Sequence, residues 1–258
     1  MNMNFEKKAL SVFRCLFFPP RCCACGAFLQ QHILDTAPRA LCESCRRKWE
    51  YAKLSTCGRC KEELSKCRCV PAVLTREGAS VMLKMVEYDK TRDSVVRRCV
   101  IFMKRKNNRV VFDFFSEQLA GLLKNYLEET YTCEKSIFVT YVPRSLKNIR
   151  KSGVDQSELL AKGLACQLGC AFGTVFYRSN SSDREQKTLD KKQRLENVRN
   201  AFELEEQDFE YINKTYRCLV VVDDVVTTGS SLAMCVKQLK EKFYGRIICI
   251  SLAQTPKE

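Results

Sequence analysis

The sequence predicts an α/β fold, a mainly parallel sheet flanked by helices, with a small cysteine-rich module ahead of it. Three observations carry this. From residue 80 onward, short apolar runs alternate with segments of helical period. Cysteines bunch in closely spaced pairs before residue 70. One strand–turn–helix stretch near the C-terminus ends its strand in two adjacent acids. Alternating strands and helices favour a parallel sheet covered on both faces.

Taken in order, residues 1–18 read as a short amphipathic helix stopped by Pro19 and Pro20. Residues 19–70 form the cysteine module, with little periodicity of their own, and Pro71 marks the seam to a third unit, 71–258. There, 80–88 is a candidate strand. Val95, Val96, Cys99, Val100 and Met103 fall at helical spacing, as do Phe115, Leu119, Leu122, Leu123 and Tyr126. Residues 137–142 form a short apolar strand, and 158–168 a helix that Gly169 stops. Residues 171–177 and 218–222 are further strands, 231–243 is a helix ended by Gly245, and 247–252 is the last strand.

With 258 residues and 45% apolar composition, the chain can fill a sizeable core and is not globally disordered. Its formal charge is +14, or about +10 if two four-cysteine zinc sites form as thiolates. That balance suits polyanionic partners such as sugar diphosphates or nucleic acid. Arg14 interrupts the apolar run at 9–18, so no secretory leader is expected, and no run approaches the ~20 apolar residues of a membrane span. A cytoplasmic location with reduced thiols is expected.

Of 17 cysteines, ten lie within residues 15–69. Cys22 with Cys25, Cys42 with Cys45, and Cys57 with Cys60 are Cys-x-x-Cys pairs, a spacing that lets both thiols face one metal. Cys22, Cys25, Cys42 and Cys45 form one expected zinc site. Cys57, Cys60, Cys67 and Cys69 form a second, whose last pair is spaced by one residue. Cys23 is an alternative to Cys22, and pairing across the two ribbons is a further arrangement. A closed four-cysteine site leaves no open position for catalysis, so its role is structural. The one histidine, His32, is read as a surface residue.

The sharpest chemical signal is Val220-Val221-Val222-Asp223-Asp224-Val225-Val226-Thr227-Thr228-Gly229-Ser230-Ser231. A hydrophobic strand delivers two carboxylates to its C-terminal end, where ligands of open α/β sheets bind. Gly229 permits close backbone approach to an anion, and backbone N–H groups with the hydroxyls of Thr227, Thr228, Ser230 and Ser231 supply donors. Two acids beside a phosphate cradle make sense if they take ribose hydroxyls, directly or with Mg²⁺ between. That is the chemistry of a ribose 5-phosphate. Helix capping alone would need far less.

Two more segments belong with it. Val142-Pro143 is followed by Arg144, Lys147, Arg150 and Lys151, then Gly153, Gln156 and Ser157 at a helix start. A basic loop after a strand suits pyrophosphate. The charged stretch 179–200 holds Gln186, Arg194 and Asn197, and resembles a polar flap able to close over a charged substrate.

The run 220–231 resembles the phosphoribosyl-pyrophosphate (PRPP) signature of type I phosphoribosyltransferases. With residues 16–26, the cysteine pairs, 142–161 and 186–202, the chain resembles the ComF family, competence-associated proteins with a zinc module ahead of a phosphoribosyltransferase-like domain. The resemblance implies PRPP as ligand, with Asp223 and Asp224 on the ribose hydroxyls as the catalytic acids and Thr227 to Ser231 on the 5-phosphate. It implies a glycosyltransferase if the chain is active, and a role in DNA uptake and natural transformation. Where the family usually reads Arg-Gly-Phe-Asn-Gln, this chain has Ser152-Gly153-Val154-Asp155-Gln156. A second expectation is a non-catalytic adaptor that keeps PRPP only for regulation and contacts single-stranded DNA or a competence helicase. Phe102, Lys104, Arg105, Lys106 and Arg109 interleave an aromatic with cations in the way such binding uses.

Overall fold

The computed structural model describes residues 19–29, 39–178, 202–204 and 209–256. The helix expected over 1–18, His32, and the flap residues Gln186, Arg194 and Asn197 lie outside them.

Five parallel strands form the sheet, in the order β1-β7-β6-β2-β3. They are β1 (Val81–Glu87), β2 (Ile137–Tyr141), β3 (Ala171–Phe172), β6 (Cys218–Val226) and β7 (Arg246–Gln254). A separate antiparallel pair joins β4 (Phe176–Arg178) to β5 (Phe202–Leu204). Both sheet faces are apolar because helices cover both, which is why β6 and β7 read as near-continuous hydrophobic runs. On one face pack α3 (Val95–Arg105), α4 (Arg109–Glu129) and α6 (Gln156–Leu168), sharing a core with Val220, Val222, Ile248 and Ile250. On the other, α2 (Ala72–Arg76), α7 (Phe209–Thr215) and α8 (Ser230–Lys242) enclose Leu219, Val221, Ile247 and Cys249. The fold is the mainly parallel, helix-flanked α/β architecture that the alternation predicts.

The cysteine module is tied into this core. Its helix α1 (Glu43–Lys53) buries Trp49 completely, edge-on to Phe115 of α4 with ring centroids 4.9 Å apart. Cys22, Cys23, Ala24 and Leu29 join the same core. Sequence periodicity did not suggest α1, because only Cys45 and Trp49 of its 11 residues are buried. Strong polar substitution on the other faces hides so narrow a stripe.

Residues 171–177 form no single strand. β3 stops after Phe172, and the chain leaves the sheet at Gly173, where an added Cβ would lie 2.7 Å from the Phe138 ring. Phe176 and Phe202 are instead buried against α8. A short helix, α5 (Leu146–Ser152), also stands where a basic loop was expected. Ser145 caps its start and Gly153, at φ 78°, ends it in the left-handed region that glycine tolerates.

Candidate functional site

The carboxyl edge of the sheet gathers the end of β2, the end of β6 and the start of α6. Val142 N–H donates to the Val222 carbonyl at 3.0 Å, so the segment after β2 runs beside the strand that carries the acids. Asp223 and Asp224 lie near the end of β6, directly after the fully buried Val220–Val222.

Asp155 fastens α6 to this edge. Its Oδ1 accepts from the N–H of Ser157 at 3.0 Å and of Glu158 at 3.3 Å, while Oδ2 accepts from the Arg144 N–H at 2.7 Å. One carboxylate therefore caps the helix and holds the basic segment to it. The acid that departs from the family reading at this position has a structural task. Next in line, the Ser157 hydroxyl donates to Asp223 Oδ1 at 3.2 Å and accepts from the Asp224 N–H at 3.2 Å. Asp223 Oδ1 accepts from that same N–H at 2.9 Å.

Asp224 is 7% exposed. Its Oδ1 accepts from the Val225 N–H at 2.7 Å; its Oδ2 accepts no hydrogen bond and lies 3.4 Å from Lys104 Nζ. Lys104, noted in the sequence only within a basic stretch, is thus the cation facing the acid pair. Burial and the neighbouring Asp224 charge push the Asp223 carboxyl up to about 8, against the pull of the Asp224 N–H, Ser157 and Lys104. Two adjacent acids, one raised and one with an oxygen that accepts no hydrogen bond, form a donor set that fits a hard divalent cation or a sugar diol.

The bend follows. Thr227 and Thr228 are exposed, Gly229 sits at φ 79°, and the Thr228 and Ser230 hydroxyls are 2.9 Å apart. No side chain caps α8 from position 229, and Ser231 lies in its first turn. Val73 of α2 backs Gly229 closely: an added Cβ would stand 3.2 Å from Val73 Cγ1.

The structure therefore brings Asp223, Asp224 and Ser157 together, with the bend directly after the same strand and Arg144 tied in through its backbone. Arg144 is half-buried, and Lys147 and Lys151 are exposed on α5. Gln156 is fully buried: its amide donates to the Met103 carbonyl at 3.2 Å and the Val154 carbonyl at 3.3 Å, bracing α6 against α3.

The cysteines resolve into two clusters, Cys22 with Cys25, Cys42 and Cys45, and Cys57 with Cys60, Cys67 and Cys69. Within each, all four sulfurs lie within 4.8 Å of one another. Cys25 and Cys42 are 3.7 Å apart, and Cys60 and Cys67 3.6 Å, close to the edge of about 3.8 Å that a tetrahedron with zinc–sulfur bonds of about 2.3 Å requires. Burial pushes the Cys22 thiol up, but the N–H groups of Cys42, Cys25 and Ala24 outweigh it and hold it at about 7. The N–H groups of Cys60 and Arg59 do the same for Cys57, at about 6. Both clusters could hold a zinc ion. Cys23 does not replace Cys22: it turns into the core, 3.8 Å from Cys99. Sequence spacing did not disclose a further partner, Lys84 of β1, which is 5% exposed and donates to Cys67 Sγ at 3.0 Å.

Among the described residues, no helix is long and apolar enough to cross a membrane. No family model matches the chain. The chain is 32% identical over 124 residues to a DNA utilization protein YhgH of Salmonella typhi, and equally so to that of Salmonella typhimurium. The match covers 46% of this chain and 52% of each relative, so the chain spans about half the length of the curated relatives it matches. Among solved structures, TT1426 from Thermus thermophilus covers 55% of this chain and 84% of its own, at 13% identity and a TM-score of 0.32.

Proposed function

We propose that the acid pair and bend at the carboxyl end of β6 bind PRPP, in a protein of the ComF kind that supports DNA uptake. One observation carries this reading: Asp223 and Asp224 stand at the sheet edge, held by Ser157, with Gly229 and four hydroxylated residues close after them. In this reading the acids take the ribose hydroxyls, and the bend with the first turn of α8 takes the 5-phosphate. Arg144, Lys147 and Lys151 lie toward the pyrophosphate, with Gln156 bracing the helix beneath them.

If transfer occurs, the C1–O bond to pyrophosphate breaks with oxocarbenium character, and the basic segment offsets the departing charge. Asp223 and Asp224 would hold Mg²⁺, which, when bound, neutralises phosphate charge. Gln186, Arg194 and Asn197 are assigned to the flap that excludes water. The zinc clusters are structural. Pyrophosphate release from PRPP with Mg²⁺, compared between the parent and the Asp223→Ala/Asp224→Ala variant, tests the reaction. Release that depends on the acids is expected; equal release from both proteins refutes it.

The relatives' name, DNA utilization protein, favours a second reading for the same chain. Here the PRPP site regulates a basic protein that contacts single-stranded DNA or a helicase. Affinity for single-stranded DNA that falls steeply with salt and with loss of Lys104, Arg105 or Lys106 supports it. Binding indifferent to both rejects it.

A further inference from the structure

Lys104 stands in the last turn of α3 and meets the acid pair from outside the strand that carries it. Its Nζ lies 3.4 Å from Asp224 Oδ2, the buried oxygen that accepts no hydrogen bond. The Asp224 side chain is 10% exposed and that of Lys104 37%, so the carboxylate is enclosed while the ammonium still reaches solvent. Arg105 and Lys106, next in the chain, are exposed and make no ion pair among the described residues. Of this basic run only Lys104 is committed to the acids.

The fold holds Lys104 there. The carbonyl of Met103, one residue before it, accepts from the Gln156 amide at 3.2 Å. Ser157, one residue after Gln156, bonds to both acids, and Asp155, one residue before, accepts from the Arg144 N–H. Three consecutive residues at the start of α6 therefore fix Lys104, the acid pair and the basic segment relative to one another. Met103 and Gln156 are both buried, which shields their hydrogen bond from water.

Charge gives the position a task. Burial and the Asp224 charge hold the Asp223 carboxyl up at about 8, and Lys104 is among the groups that pull it down, so its field reaches both acids. With Asp223 largely protonated near neutral pH, Asp224 and Lys104 leave the pair close to neutral. Without the ammonium, a net carboxylate would face the phosphates of an incoming polyanion and repel it. An ammonium carries three N–H donors, and Asp224 occupies one side of it, which leaves donors for a second anion.

We infer that Lys104 is a substrate-contacting cation of this site: it neutralises Asp224 and, as the acids take the ribose hydroxyls, donates to a phosphate of PRPP. The inference rests on the PRPP reading. It adds a residue of α3 to a site otherwise built from the ends of β2 and β6 and the starts of α6 and α8.

Calorimetry of PRPP with Mg²⁺ on the full, zinc-loaded chain, parent against Lys104→Met, is the first test. The variant should bind about tenfold or more weakly, the loss expected for a hydrogen bond between charged groups. Acylation of the parent's lysines, read by peptide mass spectrometry, needs no variant and decides the matter alone should Lys104→Met fail to fold. Saturating PRPP should slow acylation of Lys104 several-fold and leave Lys135, which precedes β2 at the opposite end of the sheet, unchanged. Full affinity in Lys104→Met overturns the proposal. So does weakened affinity with unaltered labelling of Lys104, which reduces it to a prop for Asp224. A parent that binds no PRPP takes the reading of the acid pair down as well; a parent that binds while Lys104 fails either test removes the role of Lys104 alone.

Discussion

The Ser157 hydroxyl lies 3.2 Å from Asp223 Oδ1 and 3.2 Å from the Asp224 backbone nitrogen, joining the first turn of α6 to the acid pair of β6. Asp155, two residues earlier, fixes that turn in place. The acids are therefore positioned by a capped helix start, and the basic segment after β2 is positioned by the same cap.

Substituting Asp155 should separate these two tasks. Asp155→Ala removes the cap of α6 and leaves the Arg144 N–H without its acceptor, for a loss of about 2–3 kcal/mol. Asp155→Asn keeps an oxygen for Ser157 and Glu158 but sets an amide nitrogen against Arg144, so about half that loss is expected. Urea unfolding of the three proteins checks the order. Equal stability of the Asn variant and the parent would show that the Arg144 tie contributes nothing.

Asp223 makes stability depend on pH. With its carboxyl raised to about 8, the folded protein keeps a proton that the unfolded chain releases above the ordinary carboxylate range. Stability contributed by this group therefore falls as pH rises from about 4 towards 8. Asp223→Asn should remove that fall and melt higher than the parent near pH 8, by about 2–4 °C, with the two converging below about pH 4; solvent access to Asp223 keeps the gap small. Melting curves between about pH 4 and 9 read it directly. A parent that gains stability relative to Asp223→Asn over the same range contradicts the raised carboxyl.

How much of this was legible follows from which features are local. The acids, the bend and the cysteine spacing are adjacent in sequence, and each was read from residue type alone. The Val95–Met103 and Phe115–Tyr126 stripes likewise found their helices, because one apolar face carries the pattern. Partners that meet only through the fold were not visible: Lys104 with Asp224, and Lys84 with Cys67. Nor was the break after Phe172, beside which the Phe138 ring of β2 leaves no room for a Cβ at Gly173. Gln156 read as a ligand because it sits at a helix start beside basic residues, yet its amide is turned inward to Met103.

Trp49, the one tryptophan, reports on the first cysteine cluster. It follows Cys42 and Cys45 on α1 and is packed on Phe115. Stripping zinc, or Cys42→Ser, should undock α1 and shift the emission of Trp49 to the red. Cys60→Ser should not, because the second cluster packs in a small core of its own. A red shift from Cys60→Ser alone would show that the two clusters fold as one unit.

Lys84→Met should loosen the second cluster. A buried ammonium 3.0 Å from Cys67 Sγ offsets the charge of a metal-bound thiolate, and outer-shell partners of this type are worth about 10–100-fold in metal affinity. Zinc transfer to a chromogenic chelator should quicken for one of the two ions and stay unchanged for the other. Unchanged release of both would reduce Lys84 to a packing residue.

Titration of PRPP with Mg²⁺ into the full chain, by calorimetry, bears most directly on the acid pair and bend. A saturable heat for the parent, lost or weakened at least about tenfold in Asp223→Asn/Asp224→Asn with melting and zinc content intact, is the predicted result. Absence of binding by the parent, or equal binding by the variant, would contradict the account.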